Sequence, residues 1–163
     1  MEGPRSACNR RSLVGGCAWD INTGMDLPWG GGSTNEHSYL GWQLLLNNIT
    51  AASIWVWDGT RALDLLMSRP EVAKERVGMT GCSGGGTQTA YLSSVDERIQ
   101  AASVACYSSA FEVDFAWGGS GADAEQQWPG GLPAGLNKAD LSVARSPQAT
   151  QLLLTTLDGC FPM

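Results

Sequence analysis

Two residues in this chain have the type and the setting for acyl-transfer chemistry. Gly81-Cys82-Ser83-Gly84-Gly85 fits G-x-S-x-G, with an apolar run before it and a helix-forming run after it. A serine on a tight strand-to-helix turn stands clear of a sheet, and glycines two residues to either side remove the Cβ atoms that would clash. The N–H of Gly84 then lies at the start of a helix, where orphan donors and the dipole favour a developing oxyanion. The bland alternative is a glycine-rich turn whose serine caps the helix through its hydroxyl. Asp158, in Thr156-Leu157-Asp158-Gly159, follows a later apolar run and would sit at the same end of a sheet as Ser83. Asp-Gly is also a common turn pair, so a purely structural aspartate is the competing reading.

The elements that must carry these residues follow from periodicity. Ala51 to Ser68 has a helical apolar face made of Ala51, Ile54, Trp55, Ala62, Leu65 and Leu66, and Arg69-Pro70 should end it. Arg76 to Thr80 reads as a buried parallel strand, Gly84 to Ser94 as a helix, and Ile99 to Tyr107 as a second strand. Residues 108 to 135 form a long connection rich in glycine and proline. Asn137 to Arg145 makes a short helix, and Gln151 to Thr156 a third strand. Alternating strands and helices predict an α/β fold with a mainly parallel sheet covered by helices. Residues 1–35 show no sustained period and are expected to be an irregular N-terminal segment, leaving 36–163 as the domain.

Arg61-Ala62-Leu63-Asp64-Leu65-Leu66, Ser68-Arg69-Pro70-Glu71-Val72, Arg76 through Leu92 and Asp96-Glu97-Arg98-Ile99 together resemble the bacterial acetyl xylan esterase-like branch of the α/β hydrolases. Glu36-His37-Ser38-Tyr39, Asp123-Ala124-Glu125-Gln126 and Gly135 through Leu141 extend the resemblance over about residues 36 to 163. It implies a three-layer α/β-hydrolase fold, here incomplete, and a serine carboxylic-ester hydrolase acting on acetylated carbohydrate or similar small esters. In that scheme Ser83 is the nucleophile, Gly84 an oxyanion donor and Asp158 the acid that orients a histidine. The family places that histidine after the acid, but the one histidine of the chain, His37, precedes the nucleophile. The chain is therefore expected to be a fragment, without the early strands and the histidine segment. The alternative reading is a truncated, inactive remnant that serves as a binding module.

Composition limits the rest. Ten Lys plus Arg against 16 Asp plus Glu give a formal charge of −6, which argues against nucleic acid or an anionic membrane surface as a partner. Five cysteines without CxxC spacing and without neighbouring histidines give no support for a metal site, and no organic cofactor is implied. No signal peptide or membrane-length run is visible, so a soluble chain is expected, its compartment open. An exposed sheet edge would favour self-association. Asp123 and Glu125 form a possible carboxylate pair but read better as loop anchors. Trp117 and Trp128 flank that loop, where tryptophans stack on sugars or are simply buried.

Overall fold

A computed structural model describes residues 13–15, 33–117, 124–126 and 128–158. Four parallel strands form one sheet in the order β1-β2-β3-β4: β1 Leu13–Gly15, β2 Gly78–Cys82, β3 Ala101–Ala105 and β4 Ala149–Leu153. The helices are α1 Ser33–Leu45, α2 Ala51–Ser68, α3 Gly84–Val95, α4 Phe111–Trp117 and α5 Lys138–Val143. The expected α/β architecture with a parallel sheet is present. None of the described helices is long and apolar enough to cross a membrane.

Local chemistry accounts for the helix boundaries. Thr50 caps α2 by accepting the Ser53 N–H at 3.2 Å, and Ser53 Oγ accepts the Thr50 N–H at 3.3 Å. That reciprocal pair satisfies two otherwise orphaned donors. Asn137 and Asp140 make the equivalent box at α5. The buried residues of α2 are Ala51, Ala52, Trp55, Gly59 and Leu63; Ala51 and Trp55 were expected there, whereas Leu65 is exposed. A Cβ on Gly59 would lie 2.9 Å from Leu92 Cδ2, so α2 closes on α3 along the one residue that has no side chain.

Helix α3 is buried from Gly85 to Ser93, polar residues included. Its hydroxyls are satisfied internally: Thr89 donates to Gly85 O at 2.7 Å, and Ser93 donates to Thr89 O. Two apolar clusters flank it. Ala52, Ala90, Tyr91, Val104 and Tyr107 form one, and Leu63, Val77, Met79, Leu92 and Ile99 the other. The buried guanidinium of Arg145 bonds the backbone oxygens of Ser93, Ile99 and Ala149. It thereby joins the end of α3 to the start of β4, the strand that leads to Asp158.

Two expectations need correction. Leu13–Gly15, inside the segment read as irregular and without its early strands, pairs in parallel with Gly78–Thr80. Three residues held by backbone bonds are too short to show a period. The connection from 108 to 135 contains α4, whose buried residues include Phe111 and Asp114. A buried aspartate at the second position of an i, i+3 pair hides the apolar pattern.

Arg98 ties α2 to the turn after α3. It donates to Asp96 Oδ1 at 2.8 Å through Nε, to Asp96 Oδ2 through Nη2, and to Asp64 Oδ1 at 2.7 Å through Nη1. These bonds hold the Asp96 carboxyl below its usual 3.8. A carboxyl with a depressed folded value adds stability above about pH 4 and loses it as the pH falls through that folded value. Arg98→Met is expected to cost about 1 kcal/mol at pH 7, given the partial exposure of the pair. Urea melts at pH 7 and at pH 3 should show the deficit shrinking at the acid end.

Candidate active site

Ser83 joins β2 to α3 at φ 57° and ψ −121°, a left-handed conformation for a residue with a Cβ. Three contacts hold it there. Its N–H donates to Ala105 O at 3.1 Å, and its carbonyl accepts the Thr87 N–H at 2.9 Å and the Thr87 hydroxyl at 3.3 Å. The helix therefore starts at once. The Ser83 side chain is exposed and makes no capping hydrogen bond, which removes the helix-cap alternative. Gly84 is the first residue of α3, so its N–H is one of those without an intrahelical acceptor.

The glycines around the turn are demanded by close approach. A Cβ on Gly81 would lie 2.3 Å from Gly85 O, and one on Gly86 would lie 2.2 Å from Ala105 O. Gly86 lies outside the five-residue pattern. It is the residue that seats α3 on the end of β3 and lets Ser83 reach Ala105.

Asp158 follows β4, half-buried, and accepts the Thr155 hydroxyl at 2.7 Å. Cys106, just past β3, marks where the strand ends converge. Its thiol is pushed up, first by a hydrogen bond with Cys82, then by desolvation and by the charges of Cys82 and Asp158, while the Ser83 backbone acts in the opposite sense. Ser83, Cys82, Cys106 and Asp158 thus gather at the carboxyl ends of β2, β3 and β4. Sequence reasoning did not single out Cys106. Its φ of 51° is invisible in a run that reads as continuous strand.

His37 is engaged elsewhere. Its side chain is 6 % exposed, its Nδ1 lies 3.1 Å from Glu125 Oε2, and its ring stands edge-on to Trp55 at 5.2 Å. Glu125 also receives the Tyr91 hydroxyl on its carbonyl at 2.7 Å, and Gln126 donates to Thr87 Oγ1 at 3.2 Å. These residues fasten the 124–126 turn to α1 and α3. Trp128 packs against Tyr91 and Phe111, with ring centroids 5.8 and 5.4 Å apart. Asp123, Cys160 and the Trp117 side chain lie outside the described residues. Among the described residues, no group of three or more His, Cys, Asp or Glu could hold a metal ion.

A strained serine between a parallel strand and a buried helix, with an aspartate after the strand two places along the sheet, is a layout that the α/β-hydrolase fold provides. Solved structures share this fold. A glucuronoyl esterase from Solibacter usitatus superposes with a TM-score of 0.52 at 16 % identity, over 65 % of this chain and 31 % of that one. A glucuronoyl esterase from Sporotrichum thermophile gives 0.52 at 16 % identity, over 68 % of this chain and 37 % of that one. The glucuronoyl esterase catalytic domain from Hypocrea jecorina gives 0.52 at 17 % identity, over 68 % and 37 %. The chain thus spans only 31 to 37 % of these esterases' length. At this identity the likeness shows the α/β-hydrolase fold. No family model and no curated protein matches the chain.

Proposed function

We propose that the chain carries the nucleophile and the acid of a serine carboxylic-ester hydrolase site for esters of carbohydrates. The observation that carries this reading is Ser83 itself: exposed, uncapped, and held at φ 57° by three backbone-directed contacts. Strain of this kind persists only where surrounding structure over-determines it, and it concentrates at functional sites.

In the proposed reaction Ser83 Oγ attacks the ester carbonyl and the Gly84 N–H receives the oxyanion. The alcohol leaves with a proton, and water then hydrolyses the acyl-enzyme. Asp158 orients the imidazole that shuttles the proton. The sequence resemblance points to an acetyl ester, in which the sugar is the alcohol. In a glucuronoyl ester, the group named in the structural neighbours, the sugar is the acyl part. We take the acetyl or similar small acyl group as the substrate of this chain. The mass added to Ser83 by each kind of ester distinguishes the two.

In this reading His37 is not the base, because its ring packs on Trp55 and its Nδ1 faces Glu125. Removing the histidine of a serine triad costs about 10⁶-fold in kcat. Labelling of the chain by a fluorophosphonate at pH 7, read by intact mass, is therefore expected to be slow. Imidazole added in solution should accelerate it, with all adduct on Ser83. The enclosure of His37 also favours a second reading, a non-catalytic module that binds its ligand at the strand ends. Labelling that stays absent with imidazole present overturns the hydrolase reading and leaves that one.

A further inference from the structure

Two cysteines meet beside the turn that carries Ser83, on adjacent strands. Cys82 ends β2 and pairs in register with Ala105 of β3. Cys106 is the next residue along, and its N–H donates to Leu153 O at 2.9 Å. Successive side chains on a regular strand leave opposite faces, so Cys106 would point away from Cys82. Its φ of 51° breaks that alternation, and the Cys106 thiol is within interaction range of Cys82. A strand spacing of about 4.8 Å and one residue's rise of about 3.3 Å put their Cα atoms about 5.8 Å apart, within the range that disulfides adopt. Both thiols are free, Cys82 exposed and Cys106 half-buried.

We propose that Cys82 and Cys106 form a reversible oxidation site, which a hydroperoxide converts to a disulfide linking the ends of β2 and β3. The exposed Cys82, as thiolate, attacks one peroxide oxygen. The O–O bond breaks, an S–O bond forms, and the alcohol (water, from hydrogen peroxide) leaves with the second oxygen. Cys106 then attacks the Cys82 sulfur, the S–O bond breaks, and water departs with the thiol proton. Two thiols and one hydroperoxide become one disulfide, one alcohol and one water. The nearby Cys82 thiol pushes the Cys106 thiol up, in keeping with its role as the second, resolving thiol. The proposal rests on the two strand ends and does not depend on ester chemistry at Ser83.

The test uses the full chain, reduced, freed of reductant and treated with one equivalent of hydrogen peroxide. Remaining thiols are blocked with N-ethylmaleimide, and the protein is digested unreduced with trypsin, which cuts between the two cysteines at Arg98. The expected product is a linked pair of peptides carrying Cys82 and Cys106, two hydrogens lighter than their sum and lost after dithiothreitol. In denaturant that pairing should lose its preference over links to Cys8, Cys17 and Cys160. In Cys106→Ser, oxidation should stop at a Cys82 sulfenic acid that dimedone traps. Native protein in which Cys82 is over-oxidised while Cys106 stays alkylated, or in which Cys82 links to another cysteine, overturns the proposal. The native-against-denatured comparison on the unaltered chain keeps the test valid if the variant fails to fold.

Discussion

Ser83→Gly is expected to abolish phosphonate labelling and to raise the thermal midpoint above that of Ser83→Ala, which abolishes labelling without the gain. The argument is conformational. The pair φ 57°, ψ −121° is the mirror image of an ordinary extended conformation. Any L-residue with a Cβ occupies it at a cost of about 1–3 kcal/mol. Alanine keeps the Cβ and therefore the strain. Glycine enters the mirror region without that penalty, but it adds about 0.4–1 kcal/mol of unfolded-state entropy to be lost on folding. The net difference is about 1 kcal/mol in favour of glycine, which is about 3 °C for a chain of this size. Calorimetry of the two variants side by side measures it, because both lack the hydroxyl and differ only in the Cβ. Equal midpoints would mean that the turn bears no strain, and the physical case for a functional serine at this position would fall with it.

The turn at Ser83 was legible because its sequence signals are local. Glycine at 81 and 85, an apolar run before and a helix-forming run after leave few conformations for the residue between them. The span of α2 was legible too, since its apolar periodicity begins at Ala51 and Arg69-Pro70 ends it. What stayed hidden depends on distant partners. Gly86 is required by the carbonyl of Ala105, nineteen positions on, and nothing in the local pattern announces that approach. The inward face of α2 includes Gly59 where it meets Leu92, so an apolar count finds Ala51 and Trp55 but misses Gly59 and wrongly adds Leu65. Helix α4 was masked because Asp114 is among its buried residues. Cys106 looked like the continuation of a strand until its φ turned it toward Cys82. Periodicity sees apolar faces, whereas the candidate site is built from backbone turns and from polar groups buried in pairs.

Asp114→Ala is expected to be the most destabilising single replacement, at about 3–5 kcal/mol, a large part of the roughly 5–15 kcal/mol that holds a domain folded. Lys138 and Asp114 form an ion pair with both side chains fully buried. The Lys138 ammonium donates to Asp114 Oδ2 and to Ser109 Oγ, the latter at 3.2 Å, and Ser109 donates to Asp114 Oδ1 at 2.7 Å. The Tyr107 and Phe111 rings enclose it, each centroid 5.4 Å away. Even with Asp114 in place, burial holds the lysine below its usual range. Without Asp114 the folded protein would have to keep that lysine neutral. The unfolded state would then bind the extra proton, so the variant should regain stability as the pH rises toward the ordinary lysine value of about 10.4. Chemical denaturation at pH 7 and at pH 9.5 reads both the loss and the recovery. Pairing Asp114→Leu with Lys138→Met removes both charges and should restore most of the stability, since a buried pair offers little over apolar residues of similar size. The pair instead fixes position. Asp114 belongs to α4 and Lys138 to α5, and α5 leads through Arg145 to β4 and so to Asp158. If the double replacement folds well but places Asp158 less firmly, its imidazole-assisted labelling at Ser83 should fall while its melting temperature does not.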